Sequence, residues 1–379
     1  MRIGIEGKVL TRKIGGIGRC AINLLDALVA IASTERPDIE FVIFTAPQTD
    51  PDVLRGSSIR ICHRFQRIKS SLLRSSLLLL AGIVSEHIDV FHGLDESGIP
   101  FFRKAGKYVI TIHDLSPLVL PWAFPRKRRL VSTAALHRAR KQADIILVPS
   151  EASKADVMRY LQVEAGRVRV IPWGCDVRFK PSGDPAAVAE VKERYGLPER
   201  YILFLGTLEP RKDVLTLLQA LAILRAEQSD AELRLVIAGG KGWGYKEFFT
   251  TREALRLGDH VIFTGFVDEK DLVDLYRGAR LFIYPSFYEG FGLPILEAMA
   301  CGIPVITSTT SSMPEVAGDA AVLVEPKKPE SLAAAVASVL GDETRLAELR
   351  QRGLERAKGF SWEAVARRTL DVYTTLAGR

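Results

Sequence analysis

Two glutamates eight positions apart, Glu289 and Glu297, flank a glycine- and proline-rich stretch that reads PSFYEGFGLPILEAMACGIPV over 285–305. An apolar run, RLFIYPS (280–286), precedes them as a strand, and 295–301 is good helix-forming sequence with Pro294 where a first-turn proline is tolerated. A strand, a glycine loop and a helix start make an anion site, because backbone N–H groups and the positive end of the helix dipole converge there. The loop carries Glu289, Gly290, Phe291, Gly292 and Leu293, and Glu297 is expected on the first helical turn. Carboxylates beside a phosphate site imply hydroxyls to be held, as on a ribose or another sugar.

A second set of charges follows an earlier strand. GTLEPRKD (206–213) places Gly206, Arg211 and Lys212 where the strand 201–207 feeds a helix starting near Val214. Adjacent cations at such a junction suit a diphosphate, which arginine can grip with two N–H groups. Phe266 and Val267 end another strand and suit the wall of a nucleobase site, while AGGKGWG (238–244) adds flexible glycine.

The elements that must position these groups form two sets. In the first half, short apolar runs at 2–7, 41–46, 88–93, 107–114 and 143–150 alternate with helical patterns, the first of them over 19–32. In the second half, runs at 201–207, 232–239, 260–266, 279–286, 304–308 and 320–326 do the same, with helices over 214–227 and 268–278. Continuous apolar strands between helices predict a parallel sheet covered on both faces. The fold class is therefore α/β, two Rossmann-like doubly wound domains facing across a cleft. They are placed at 1–175 and 186–360, with a Pro/Gly-rich linker over 171–185, and the amphipathic segment 362–376 is expected to cross back to the first.

Ligands of such sheets lie beyond the carboxyl ends of the strands. In the first domain those positions carry Gly15, Gly16, Gly18 and Arg19, then His92, His113 with Asp114, and Ser150 with Glu151. His113 reads either as a ligand contact or as a satisfied histidine at the sheet edge. Ser150 suits a helix N-cap equally well.

A chain of 379 residues with 47% apolar and 26% charged residues is long enough for two ordinary domains. Its four scattered cysteines form no C-x-x-C pair and indicate neither a disulfide framework nor a zinc site. MRIGIEG runs straight into a strand with no signal peptide, and the longest apolar run, 77–84, is far short of a bilayer span. These features fit a cytoplasmic protein. Residues 1–180 hold 28 Lys/Arg against 17 Asp/Glu, whereas the remainder holds 24 against 28. The charge asymmetry calls for an anionic partner of the first half.

Several functions fall away. The glycines at 15–18 have neither the spacing nor the closeness to the first strand that a dinucleotide fingerprint requires, and no acid ends the second strand. There is no P-loop. A periplasmic binding protein would need the signal peptide, and the basic half lacks the helix-turn-helix or aromatic context of nucleic-acid recognition.

PSFYEGFGLPILEAMACGIPVI together with GTLEPRKD, GGIGR (15–19), TIHDLSP (111–117) and VPSEASK (148–154) resembles the retaining glycosyltransferases of family 4, which have the GT-B fold. The likeness covers nearly the whole chain and is closest to bacterial α-mannosyltransferases that build polysaccharide on a polyprenyl diphosphate. It implies that Arg211 and Lys212 neutralise a departing nucleoside diphosphate, assisted by the backbone of Phe291–Leu293. Glu297 would hold ribose hydroxyls, and Glu289 those of the transferred sugar. His113 would contact the donor sugar, and Gly15–Gly18 would approach phosphate or acceptor. Ser150 and Glu151 would support that face. No metal or cofactor is expected, and the one D-x-D (50–52) lies in the first domain, away from the donor groups.

The expected partners are a nucleotide sugar, a lipid-linked glycan acceptor and an anionic membrane, with no nucleic acid. If 66–84 is a helix, Ile68, Leu72, Leu73, Leu77, Leu80 and Val84 form an apolar stripe near Arg67, Lys69 and Arg74, and 126–129 adds four more basic residues. A basic amphipathic segment of this kind lies on an anionic membrane. The region 60–84 with 126–129 thus points to the inner face of the cell membrane, although packing into the core is the other reading of that helix. GDP-mannose is the expected donor. UDP-glucose or UDP-GlcNAc with another acceptor is the second reading, and an inactive scaffold the third.

Overall fold

The computed structural model describes residues 1–10, 15–44, 59–62, 72–103, 106–227 and 233–378, with the backbone alone at 59–62, 72–76 and 78. The first unit comprises Met1–Val119, Arg126–Gly174 and Ser361–Arg379, and the second comprises Leu120–Pro125 and Cys175–Phe360. No sequence pattern signals that 120–125 belongs with the second unit.

In the first unit, β1 (Arg2–Glu6), β2 (Glu40–Phe44), β3 (Ile59–Cys62), β4 (Val90–Gly93), β5 (Lys107–Thr111), β6 (Ile145–Val148) and β7 (Val168–Val170) form one sheet. The order is β3-β2-β1-β4-β5-β6-β7, and every pairing is parallel. The direction of winding therefore reverses between β1 and β4. Ile3, Ile5, Phe41, Val42, Val90, Phe91, Val109 and Ile110 are fully buried, which accounts for the unbroken apolar runs in sequence.

β3 and β7 were not expected. Ile-Arg-Ile-Cys and Val-Arg-Val alternate apolar and basic residues, as edge strands do, so neither presents a continuous apolar run.

The first helix spans Gly16–Glu35, three residues earlier than expected, and takes Gly16 and Gly18 into its first turn. It is the one helix among the described residues long and apolar enough to cross a membrane. Leu24, Leu25 and Leu28 are buried in the unit, as in a core helix. The helix expected over 66–84 is described from Leu72 to Ser85. Leu80 and Ile83 are buried while Leu77 and Val84 are exposed, so the expected stripe divides between core and surface. Ile68, Arg64, Arg67, Lys69 and the D-x-D at 50–52 lie outside the described residues, as do the side chains of Arg60, Leu72, Leu73 and Arg74.

The terminal helix Trp362–Ala377 packs within the first unit. His92 fastens it. Nδ1 of His92 shares a 2.6 Å hydrogen bond with the Tyr373 hydroxyl, and Nε2 shares one of 2.9 Å with Thr111. His92 is fully buried, and burial, aided by nearby His113, pulls its pKa down to about 3. The ring is neutral and joins β4, β5 and the last helix. Of the two roles open to His92, acceptor contact or support of the sheet face, this geometry describes a support.

In the second unit, β8 (Tyr201–Leu205), β9 (Arg234–Ala238), β10 (Val261–Gly265), β11 (Leu281–Tyr284), β12 (Val305–Ser308) and β13 (Ala321–Val324) form a six-stranded parallel sheet. Its order, β10-β9-β8-β11-β12-β13, reverses between β8 and β11. The two stretches singled out in sequence, 206–213 and 285–292, follow these two strands.

Tyr373→Phe removes one partner of a buried network and leaves His92 under-satisfied, a change that costs about 1–3 kcal/mol. Urea unfolding is expected to show that loss. A midpoint equal to wild type would contradict the His92 link.

Candidate functional site

The second unit's site is built from the bottom by its loops. After β8, Pro210–Lys212 forms a single 3-10 turn and Asp213 turns into the left-handed region at φ 52°. Thr216 donates to Asp213 Oδ1 at 2.8 Å, and Lys327 N donates to Oδ2 at 2.9 Å. This bend aims Arg211 and Lys212 at the loop after β11.

Glu289 meets them there. Lys212 Nζ lies 2.5 Å from Glu289 Oε1 and 2.5 Å from the Tyr284 hydroxyl. Arg211 Nη1 lies 2.8 Å from Glu289 Oε2, while its Nε pairs with Glu209 Oε1 at 2.7 Å. Arg211 Nη1 also donates to Tyr288 O at 3.1 Å, and Phe287 N donates back to Arg211 O at 2.8 Å. Glu289 is 7% exposed and Lys212 5%. Burial pushes the Glu289 carboxyl up, but Arg211 and Lys212 outweigh it and hold the pKa down to about 2. Burial and Arg211 pull the Lys212 ammonium below its ordinary range, with Glu289 and Glu209 opposing. Burial, then Glu289, drives the Tyr284 phenol well above its usual range, so it stays protonated.

The loop itself is strapped by hydroxyls. Ser311 Oγ donates to Glu289 O at 2.6 Å, and Ser312 Oγ to Glu289 O and Phe291 O at 2.9 and 2.7 Å. Ser308 and Thr310 hold Ser286 O and Phe287 O in the same way, at 2.6 and 2.9 Å. Gly292 then turns at φ 110°, a conformation that favours glycine, and opens the helix Leu293–Ala300 with Pro294 in its first turn.

Several expectations change on this frame. Glu297 lies one turn deeper than expected, is 4% exposed and accepts from the Tyr276 hydroxyl at 2.9 Å. Of the expected nucleobase wall, Phe266 is 61% exposed but Val267 is buried. The loop 238–244 is tied rather than flexible: Leu208 N donates to Gly240 O and Gly242 N to Leu208 O. A β-carbon on Gly239 would stand 2.1 Å from Gly206 O, so that glycine is required for the backbones to meet. Gly206 follows β8 in the same layer and Gly290 is buried beside Glu289.

In the first unit, His113 Nε2 donates to Leu94 O at 2.8 Å, which leaves Nδ1 as an acceptor, and the ring packs on Trp173. Burial lowers its pKa. Asp114 Oδ1 accepts from Ser116 N and Oγ and so shapes the turn after β5. Ser150 is fully buried and caps the helix Glu151–Leu161 by accepting from Ser153 N, which settles its role as a cap. Glu151 is exposed on that helix's first turn, 4.0 Å from Lys154. A β-carbon on Gly15 or Gly16 would meet none of the described residues within 4 Å; Gly18 is buried and Arg19 N donates to Gly15 O.

Sequence reasoning missed Glu209, Tyr276, Tyr284, Ser311 and Ser312. Glu209 was visible inside GTLEPRKD. The serines sit in TTSSMPE, whose hydroxyl density after a strand was the available signal.

Comparison with known proteins fits this geometry. The model of glycosyltransferase family 4 matches residues 14–179, and that of group 1 glycosyl transferases matches residues 189–359. O-antigen chain mannosyltransferase B of Escherichia coli is 36% identical over 275 residues, covering 72% of each chain. The chain belongs to glycosyltransferase family 4. It is also 27% identical over 402 residues to the serotype-specific mannosyltransferase WbdA of Escherichia coli, and spans 48% of that relative's length. Among solved structures, sucrose-phosphate synthase from Thermosynechococcus elongatus superposes with a TM-score of 0.77 at 22% identity, covering 99% of each chain. The lipopolysaccharide glycosyltransferase WaaG does so with 0.74 at 18%, covering 99% of this chain and 100% of its own. These likenesses establish the GT-B fold.

The glycosyltransferase also buries Glu6, at the end of β1, with no ion pair to its carboxylate among the described residues. Burial, then Asp95, raises its pKa to about 8, while Lys8 opposes. The two glutamates therefore give opposite pH signatures. Glu289 titrates in the fold near 2, below its ordinary 4.5, so its stabilisation is complete above 4.5 and is lost as pH falls toward 2. Glu6 titrates above its ordinary 4.5, so the fold binds the extra proton and stability declines as pH rises from 4.5 to about 8. Thermal melts should show Glu6→Gln gaining over wild type above pH 8 and not below 4.5. The penalty of Glu289→Gln should be largest above 4.5 and shrink toward pH 2. Parallel pH profiles for the two variants would refute the assignment.

Proposed function

We propose that the enzyme transfers mannose from GDP-mannose, with retention of configuration, to a polyprenyl-diphosphate-linked glycan in polysaccharide assembly. The reading rests above all on the pairing of Glu289 with Arg211 and Lys212 at the reversal point of the second sheet. Mannose is favoured by the named activities of the two Escherichia coli relatives.

In this reading the donor diphosphate takes Arg211 and Lys212 as counter-charges, with the first N–H groups of the helix at Leu293 beside them. Glu289, ionised by the same two cations, accepts hydrogen bonds from the sugar hydroxyls. Glu297, oriented by Tyr276, reaches the ribose, and Phe266 offers a face for the base. His113, neutral with Nδ1 as acceptor, contacts the donor sugar.

The C1–O bond to the diphosphate breaks and its electron pair leaves with the phosphate oxygen. The acceptor hydroxyl attacks C1 from the same face, and its proton passes to that oxygen. Negative charge therefore builds on the leaving group, where fixed positive groups lower the barrier most. The two cations supply that stabilisation without a metal or cofactor.

We place the enzyme on the inner face of the cell membrane. The helix Arg126–Gln142 opens with four consecutive basic residues and then exposes Leu130 and Val131 at 66% and 60%. Such a charged start followed by exposed apolar side chains fits an anionic lipid surface. Binding to vesicles containing phosphatidylglycerol is expected to weaken with salt and with Leu130→Asp. Flotation indifferent to both would remove the membrane reading.

Nucleotide release from GDP-mannose, UDP-glucose and UDP-GlcNAc tests the donor, and the anomeric configuration of the product tests retention. Lys212→Ala is expected to reduce kcat by ~100-fold, as for loss of a preorganised charge at a transition state. Glu289→Gln should do likewise with an unchanged far-UV spectrum, and EDTA should leave the rate unchanged. A near-normal rate in either variant would refute the site, and preference for a UDP-sugar would refute the donor.

A further inference from the structure

The Lys212 ammonium is buried and held at two points. Nζ donates to Glu289 Oε1 and to the Tyr284 hydroxyl, each at 2.5 Å. An ammonium has three N–H groups, and no third acceptor lies against Nζ among the described residues. The remaining N–H is the one a ligand phosphate can take.

The two acceptors are mounted differently. Glu289 lies in the loop after β11, whereas Tyr284 ends β11 itself and is buried. Its ring stacks with Phe204 of β8 at 6.0 Å and with Phe282 of β11 at 5.9 Å, at interplanar angles of 24° and 18°. Lys212 Nζ also stands 4.8 Å from the centroid of the same ring. The stack does not need the hydroxyl, so the contact of that oxygen with Lys212 is a separate feature.

Resting on the donor reading above, we propose that Tyr284 is a positioning residue for glycosyl transfer and acts through Lys212. Its hydroxyl keeps the ammonium aimed while Glu289 turns to the hydroxyls of the sugar.

On that reading each bond from Glu289 to the sugar competes with its bond to Lys212. Tyr284 faces no such competition, because its ring is locked among the strands. Its oxygen therefore holds the cation while charge gathers on the departing diphosphate, when a fixed geometry matters most. The oxygen also supports the charge. Burial and then Arg211 pull the Lys212 ammonium below its ordinary range, with Glu289 and Glu209 opposing. Burial, then Glu289, keeps the Tyr284 phenol protonated, so it offers an acceptor without adding a charge. Among the described residues, Glu209 and Arg211 face the ammonium from its own turn, Tyr284 from β11 and Glu289 from the next loop. The ammonium is the active form, so the rate is full below its pKa and falls as pH rises through it. Loss of the Tyr284 oxygen lowers that pKa further and moves the fall to lower pH.

Tyr284→Phe keeps the stacked ring and removes the oxygen. It is expected to lower kcat by about tenfold and to leave the donor KM within about twofold, the scale of one hydrogen bond to a charged group. The alkaline limb of its kcat profile should move down by about one pH unit. Added to Lys212→Ala, it should lower kcat no further, because the amine through which it acts is gone. Phe282→Leu is the control for loosened packing: it should lower the melting temperature and leave the alkaline limb in place. An unmoved limb in Tyr284→Phe, or an undiminished further loss on the Lys212→Ala background, overturns the role even where Lys212→Ala alone upholds the donor site. Absence of nucleotide release from every donor defeats the glycosyl-transfer reading instead. The amine resonance of Lys212, titrated by NMR in wild type and Tyr284→Phe, then decides. A lower midpoint in the variant upholds the hold on Lys212, and equal midpoints overturn it.

Discussion

Glu289 is a carboxylate taken out of water, which costs several kcal/mol unless the charge is matched and its lone pairs are filled. Lys212 and Arg211 do both, each on a different oxygen. Much of the surrounding structure exists to make that meeting possible. The left-handed Asp213 ends the turn that carries the cations, and Lys327 N and Thr216 hold Asp213. Four hydroxyls, from the last residue of β12 and the turn after it, fix the carbonyls of the loop that carries the glutamate. A buried ion pair is weak evidence for stability and better evidence for a built geometry. Here both cations sit beside a helix start and a glycine turn.

What the sequence revealed follows from what burial does to composition. Central parallel strands are covered on both faces and read as unbroken apolar runs, so β1, β2, β4, β5, β6, β8, β9, β11 and β12 were legible; the edges β10 and β13 were legible because they carry no charged residue. β3 and β7 are edges with arginine in the middle, and they were not. The motif residues were legible because their types are unusual at strand ends: Arg211, Lys212, Glu289 and His113. Their partners were not, because Tyr276, Tyr284, Ser311 and Ser312 are ordinary residues whose importance comes only from which backbone or carboxyl they touch. Helix phase explains why Glu297 lies one turn further in than expected. Starting the helix at Leu293 rather than Ile295 moves that side chain from the rim into the interior beside Tyr276.

The first unit shows the same type of residue turned to different ends. His92 lies in a central strand and His113 follows one; both are held neutral by burial, and both are hydrogen-bonded. His92 is enclosed by Thr111 and Tyr373 and acts as a rivet, while His113 spends one nitrogen on Leu94 O and keeps the other as an acceptor. Likewise Glu6, ending β1, and Glu289, after β11, are both buried glutamates, yet one keeps its proton and the other sheds it. Two cations in direct contact with Glu289 outweigh its burial, whereas at Glu6 burial and Asp95 outweigh Lys8. A carboxyl's identity in sequence does not say which of these it will be.

The four groups Glu209, Arg211, Lys212 and Glu289 carry two positive and two negative charges, each paired within 3 Å. Seen from several Debye lengths away, such a set is nearly invisible. It projects little field to draw in free phosphate, ATP or RNA, although each would satisfy an unpaired lysine and arginine. A ligand must come close enough to compete with Glu289 for the cations before it gains anything. A nucleotide sugar brings hydroxyls that can re-occupy the displaced carboxylate, and inorganic phosphate does not. On the proposed donor reading, the internal pairing would filter out simple anions, with discrimination exercised at contact instead of during approach.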